Sequence, residues 1–209
     1  MSSAAPRARK PHDLVVRITH WVGAAAMICM ILSGWQIYDA SPILPFVFPH
    51  AVTLGGWLAG GIAWHIAAMW VLMADGLFYL AWGLLSGHFA RDWLPISASG
   101  LRQDFRAALG LRLAHQLGRY NTVQRLLYCL VTAASVLAVL TGLSIWKPVQ
   151  LGALTWVFGG YDVARCIHFA MMCTIFGFLL VHVALVAIVP ATLRAMITGG
   201  PRPIEDAAE

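Results

Sequence analysis

Four stretches of this chain are long and apolar enough to cross a bilayer: roughly Leu14 to Tyr38, Ile62 to Ser86, Asn121 to Trp146 and Val163 to Val189. A hydrocarbon layer about 30 Å thick takes about 20 residues of helix. Within it each segment must satisfy its own backbone N–H and C=O groups, which an isolated apolar stretch does only as a helix. Only 11% of the 209 residues are charged, about half the share in a soluble domain. The expected fold is all-α, an integral membrane four-helix bundle. It forms one domain over residues 1–200 with a short tail at 201–209, and no repeat or soluble domain is discerned.

The net charge of +5 matters less than its placement. Twelve of the fourteen Lys/Arg residues lie before or at the start of helix one, between helices two and three, or after helix four; only Lys147 and Arg165 fall on the other side. With four spans both termini share a face, and the excess of positive residues makes that face cytoplasmic. The localisation expected is the bacterial inner membrane, multi-pass, with no nucleic-acid role for the basic residues. The basic N-terminus runs into a full-length span without a small-residue cleavage site, so it reads as an uncleaved first helix.

Between the second and third spans, Leu101, Phe105, Ala108, Leu109 and Leu113 recur at helical spacing opposite Arg102, Arg106 and Arg112. Residues Ser99 to Leu117 are therefore expected to form an amphipathic helix on the cytoplasmic headgroups; an irregular loop is the alternative. On the outer side, prolines in SPILPFVFPH end helix one, and Gly55, Gly56, Gly60 and Gly61 mark a surface segment turning into helix two. Helix four is expected to run on through VPATLRAMITGG.

Inside these spans stand His20, His65, His168 and His182. An ionisable side chain in hydrocarbon is costly and marks function. His168 and His182 are fourteen residues apart on one helix, hence near one face and about 21 Å apart along its axis. His20 and His182 lie about five and seven residues from the cytoplasmic edge, and His65 and His168 each lie about five from the outer edge. The depths pair His20 with His182 and His65 with His168. Two imidazoles facing each other at one depth are the axial ligand set of a b-type haem, so two stacked haems are expected, with the four histidines as iron ligands.

Arg17 and Arg165 each precede a histidine by three residues and share its helix face. Both are candidates for pairing with haem propionates, although Arg17 also suits a membrane-edge anchor. Asp75 in helix two is either a proton relay or a neutral, bonded carboxyl. His12, His88 and His115 read as surface residues of cytoplasmic flanks, and His50, after Pro49 in a loop, competes with His65. Cys29, Cys129, Cys166 and Cys173 form no Cys-x-x-Cys-His run, so they read as packing residues and covalent haem attachment is not expected.

Taken together, RITHW in helix one, the histidine of helix two, RYNTVQR opening helix three, TGLSIWKP closing it and the fourteen-spaced pair in helix four resemble the prokaryotic cytochrome b561 and nickel-hydrogenase b-type cytochrome superfamily. GGWLAGGIAWHIAAMW and DGLFYLAWGLLSGHF are most similar to thiosulfate-reductase-type subunits, and the whole also to the gamma subunit of formate dehydrogenase. The resemblance spans about residues 12 to 200. It implies two haem b groups with the same ligand pairing and a quinone site near the cytoplasmic haem. It also assigns Asn121 and Gln124 to quinone binding, where Asn121 would otherwise serve as a helix cap. The helix-two histidine is followed here by Ile-Ala-Ala, not by the proline of the formate enzyme.

The resulting expectation is a di-haem cytochrome moving electrons between the quinone pool and a periplasmic redox subunit, a molybdopterin or iron–sulfur protein. The rivals are a stand-alone superoxide:quinone oxidoreductase of the b561 type, a metal-ion transporter and a passive anchor. The partner's substrate, the direction of flow and homo-oligomerisation are left open by the sequence.

Overall fold

Each apolar stretch folds as a helix, and the four long ones associate as two hairpins. The computed structural model describes residues 13–89 and 122–199. Helix α1 spans Leu14–Ala40 and α2 Leu58–Leu85. Helix α3 spans Thr122–Trp146, a short α4 Gly152–Val157, α5 Tyr161–Ile188 and α6 Pro190–Thr198. No strand occurs among the described residues. Four of the helices, α1, α2, α3 and α5, are long and apolar enough to cross a membrane. The amphipathic stretch 99–117, His12, His115, Asn121 and the tail lie outside the described residues.

Antiparallel α1 and α2 pack as one hairpin, α3 and α5 as the other. Small residues sit where the helices approach: Ser33, Thr141, Ser144 and Ala164 are fully buried, and Ala26, Ala68 and Ala134 nearly so. Without a hydrophobic drive between helices in lipid, such close backbone approach supplies the packing. Large side chains such as Leu77, Phe78, Leu84, Leu180 and Ile188 face outward, as lipid contact requires.

Between the hairpins contact is sparse and largely aromatic. Trp35 and Tyr38 of α1 meet Phe176 and Phe169 of α5, and Trp70 of α2 meets Trp146 of α3. Arginines fasten both ends: Arg17 donates to the Met196 and Ile197 carbonyls near the end of α6, and Arg165 to the Ser41 carbonyl capping α1. Helix C-termini hold unsatisfied carbonyls and a negative partial charge, so a guanidinium suits both places.

The helix limits agree with the sequence expectation to within a few residues, with three differences. Helix four does not run through VPATLRAMITGG. It stops at Ile188, and Pro190 opens a separate α6 at its first turn, because proline cannot donate to the preceding turn. The outer loop between α3 and α5 carries α4, which was not foreseen. His88 is not a surface residue: after Gly87 adopts φ 66°, the chain folds back and leaves His88 only 7% exposed. It packs there against Tyr79, Trp82 and Phe89.

Candidate functional site

The four span histidines meet as two pairs. With the end at which α1 begins called inner and the other outer, the inner rings of His20 and His182 have centroids 6.0 Å apart and planes at 59°. The outer rings of His65 and His168 are 6.3 Å apart at 70°. An iron bridging two imidazole nitrogens at about 2 Å each leaves the ring centroids about 6 Å apart. Both pairs therefore have the spacing of an axial ligand set, and each pair bridges the two hairpins.

The outer pair is also held in one tautomer. His168 Nδ1 lies 2.9 Å from the Ala138 carbonyl and 3.2 Å from Thr141 Oγ1. A carbonyl only accepts, so Nδ1 carries the hydrogen and the free lone pair of the neutral ring is on Nε2. His65 is held alike, with Nδ1 3.1 Å from Ser33 Oγ. The Ser33 hydroxyl donates to the Cys29 carbonyl at 2.6 Å, so its oxygen is left to accept from the imidazole. A ligand histidine ordinarily donates its second nitrogen in this manner, which fixes the ring and raises its basicity. Glycines make the room: a Cβ on Gly34 would lie 3.4 Å from His65 Cε1, and one on Gly142 3.1 Å from His168 Cε1. In the inner pair, His182 stacks on Phe178 at 5.8 Å and 15°, and Trp21 meets His20 edge-on.

Ser33, Gly34, Thr141 and Gly142 were not singled out from the sequence. The available signal is a Leu-Ser/Thr-Gly run that occurs at the same level of α1 and of α3, as residues 32–34 and 140–142.

Among the described residues no three His, Cys, Asp or Glu side chains gather into a group able to hold a bare metal ion. Two protein nitrogens per site are what an iron needs when a porphyrin already supplies four. The donor chemistry, the ring spacing and the glycine clearances thus fit haem. His50 stands apart in a 3₁₀ turn, His50–Val52, lining an outer cavity of about 610 Å³ with Gln36 and Asp39. The Arg17 and Arg165 bonds to carbonyls leave further guanidinium donors on each. Asp75 lies against α1, one carboxylate oxygen 3.1 Å from where a Cβ on Gly23 would be. Gln124 belongs to α3.

Residues 11–199 match the family model of prokaryotic cytochrome b561. The chain belongs to that family. A relative from Azospira oryzae, described as a protein-methionine-sulfoxide reductase subunit, YedZ1, is 44% identical over 189 residues, which cover 90% of this chain and 96% of the relative. The cytochrome is thus a multi-pass membrane protein of a haem-b electron-transfer family.

The clearance at Gly142 gives a direct test of the outer pair. In Gly142→Ala the new methyl presses on the His168 ring, which must shift by a few tenths of an ångström and weaken its bond to Ala138. Changes in the shell around metal ligands cost about 10–100-fold in affinity. The expected result is loss or spectral alteration of one haem, read as haem per chain and in the reduced-minus-oxidised absorbance. Full haem content with an unaltered spectrum would exclude the proposed ligand role of His168.

Proposed function

We propose that this cytochrome holds two haem b groups, one by His20 and His182 and one by His65 and His168, and carries electrons between the membrane quinone pool and a redox subunit on its outer side. The observation that carries the reading is the pair of facing imidazole sets, each spanning the hairpins at ligand spacing. They lie at two depths along one helix, α5. The bound haems would supply one-electron iron couples at those two levels.

The chain's own residues do the rest. Ser33, Thr141 and the Ala138 carbonyl hold the outer imidazoles in the ligand tautomer. Arg17 and Arg165 brace the two ends of the bundle, with donors left for propionate oxygens. Asn121 and Gln124 are assigned to the quinone at the inner end, as the family resemblance implies. The inner end is assigned to the cytoplasm because the basic residues concentrate there, which makes the outer end periplasmic.

The family's role in electron transfer and the description of the Azospira relative as a reductase subunit support a catalytic partner. A molybdopterin or iron–sulfur protein is the class proposed. A partner acting on methionine sulfoxide is consistent with that relative.

Two measurements on purified protein test the reading. A quinol added anaerobically should reduce the cytochrome and develop a b-type absorbance, and a tagged chain should co-purify with a periplasmic redox subunit. Reduction of the haems by superoxide, with no redox subunit co-purifying, would favour the stand-alone b561-type oxidoreductase. A protein with no b-type absorbance would exclude electron transfer by haem altogether.

A further inference from the structure

Among the described residues the acidic side chains are Asp13, Asp39, Asp75 and Asp162, and all but Asp75 stand at helix ends. Asp75 lies ten residues before Leu85, the inner end of α2. The Gly23 position that it meets lies nine residues after Leu14, the inner end of α1. Both counts put the carboxyl about 14 Å inside the span, near the middle of a hydrocarbon layer about 30 Å thick.

Its seat is made by the neighbouring helix. One carboxylate oxygen is 3.1 Å from where a Cβ on Gly23 would stand, so the glycine leaves the space that the carboxyl fills. Asp75 is half-buried, and no hydrogen bond or ion pair joins it to another described residue. An unpaired carboxylate at such depth is costly, and groups of this kind mark the paths of protons and ions.

The two imidazole pairs are unequally placed around it. Gly23 is three residues from His20, about 4.5 Å along α1 and on the same face. Asp75 is ten residues from His65, about 15 Å along α2. The carboxyl is thus close to the level of the inner pair and remote from the outer one. Helix α1 is the element packed on this side of α2; it brings Arg17 and His20 inward of Gly23 and Cys29 outward. Tyr79 follows on α2, and the ionisable groups toward the same end of the other hairpin are His182 of α5 and Arg125, Tyr128 and Cys129 of α3. None of these is a carboxyl.

We propose that Asp75 is the proton-accepting partner of the inner haem site, taking up one proton when that site gains an electron and releasing it when the electron leaves. This rests on the haem reading above and adds a proton to its electron. On reduction the site receives one electron from the quinol pool, and the carboxylate receives one proton from water at the inner face, forming the O–H bond of the neutral acid. Oxidation reverses both. The cause is electrostatic, because the electron removes a unit of positive charge beside the carboxylate. Unit charges on the order of 10 Å apart, at an effective dielectric constant of about 20, interact strongly enough to change an equilibrium constant about tenfold. The coupling is reciprocal: protonation of Asp75 favours reduction by the factor with which reduction favours protonation.

The test uses the haem-loaded full chain, with haem content per chain as the control for folding. Asp75→Asn keeps the shape of the side chain and fixes it as neutral. In equilibrium redox titrations between about pH 6 and about pH 9, the variant and the parent should agree at the acid end. At the alkaline end the parent carries the anion, so at a fixed potential the reduced-to-oxidised ratio of the inner haem should be about tenfold higher in the variant. The outer haem, about three times further away along its helix, should respond much less. Agreement at every pH would show Asp75 permanently neutral, and a constant difference at every pH would show it permanently ionised; either result overturns the proposal. A second readout needs no variant. Reduced-minus-oxidised infrared spectra of the parent, with isotope-labelled aspartate, should show the C=O stretch of a protonated aspartic acid appearing on reduction, and its absence would also overturn the proposal. A parent chain without haem would instead refute the reading on which the proposal rests.

Discussion

A His182→Ala variant is expected to carry one haem per chain, the outer one, and to lose reduction by quinol to below about a hundredth of the parent rate. Among the described residues the ring of His182 faces that of His20, and replacing its imidazole by a methyl would leave one of the two nitrogens proposed to hold that haem. Ligand loss exceeds the 10–100-fold cost typical of the shell around a ligand. The outer ligands should be spared, because His168 stands about 21 Å further along α5 and its bonds to Thr141 and Ala138 involve only α3. Haem stoichiometry and quinol-driven reduction of the residual absorbance check the result. Loss of the outer haem with the inner one intact would show that the pairing by depth is wrong.

The mirror experiment is His168→Ala. Here the outer haem should be lost while quinol still reduces the inner one at close to the parent rate. Electron exchange with the outer-side partner should fall by more than about 100-fold, since the level nearest that face has lost its iron ligand. The two variants share a helix, so a general disturbance of α5 would affect both haems in both. Opposite losses would separate ligation from packing. Stopped-flow reduction from each side, with haem per chain as the control, measures this.

Much of this architecture was legible in the sequence because the bilayer leaves few alternatives. Span length, the fourteen-residue spacing on α5 and a rise of 1.5 Å per residue were enough to pair His20 with His182 and His65 with His168, the same partners that the rings adopt. Other features were hidden for identifiable reasons. Ser33 and Thr141 look like any hydroxyl in an apolar helix, where bonding back to the preceding turn is the ordinary outcome. They do make that bond, but the same oxygens also meet the histidine rings.

His88 was placed at the surface because nothing in its local composition says that Gly87 turns the chain back onto α2. The break before α6 was signalled by Pro190, yet the apolar run on both sides of it read as one helix. Arg165 was expected beside a propionate, and its bond to the Ser41 carbonyl shows a bracing contact that sequence spacing along α5 alone does not reveal.

Four imidazoles in two facing pairs are proposed to clamp two haems, one to each pair. The most direct measurement is the number of non-covalently bound haem b groups per polypeptide in protein purified after expression with ample haem supply. Two are expected, both removable by acidic acetone. A value of one would break one of the pairs, and a colourless protein would contradict haem binding by either.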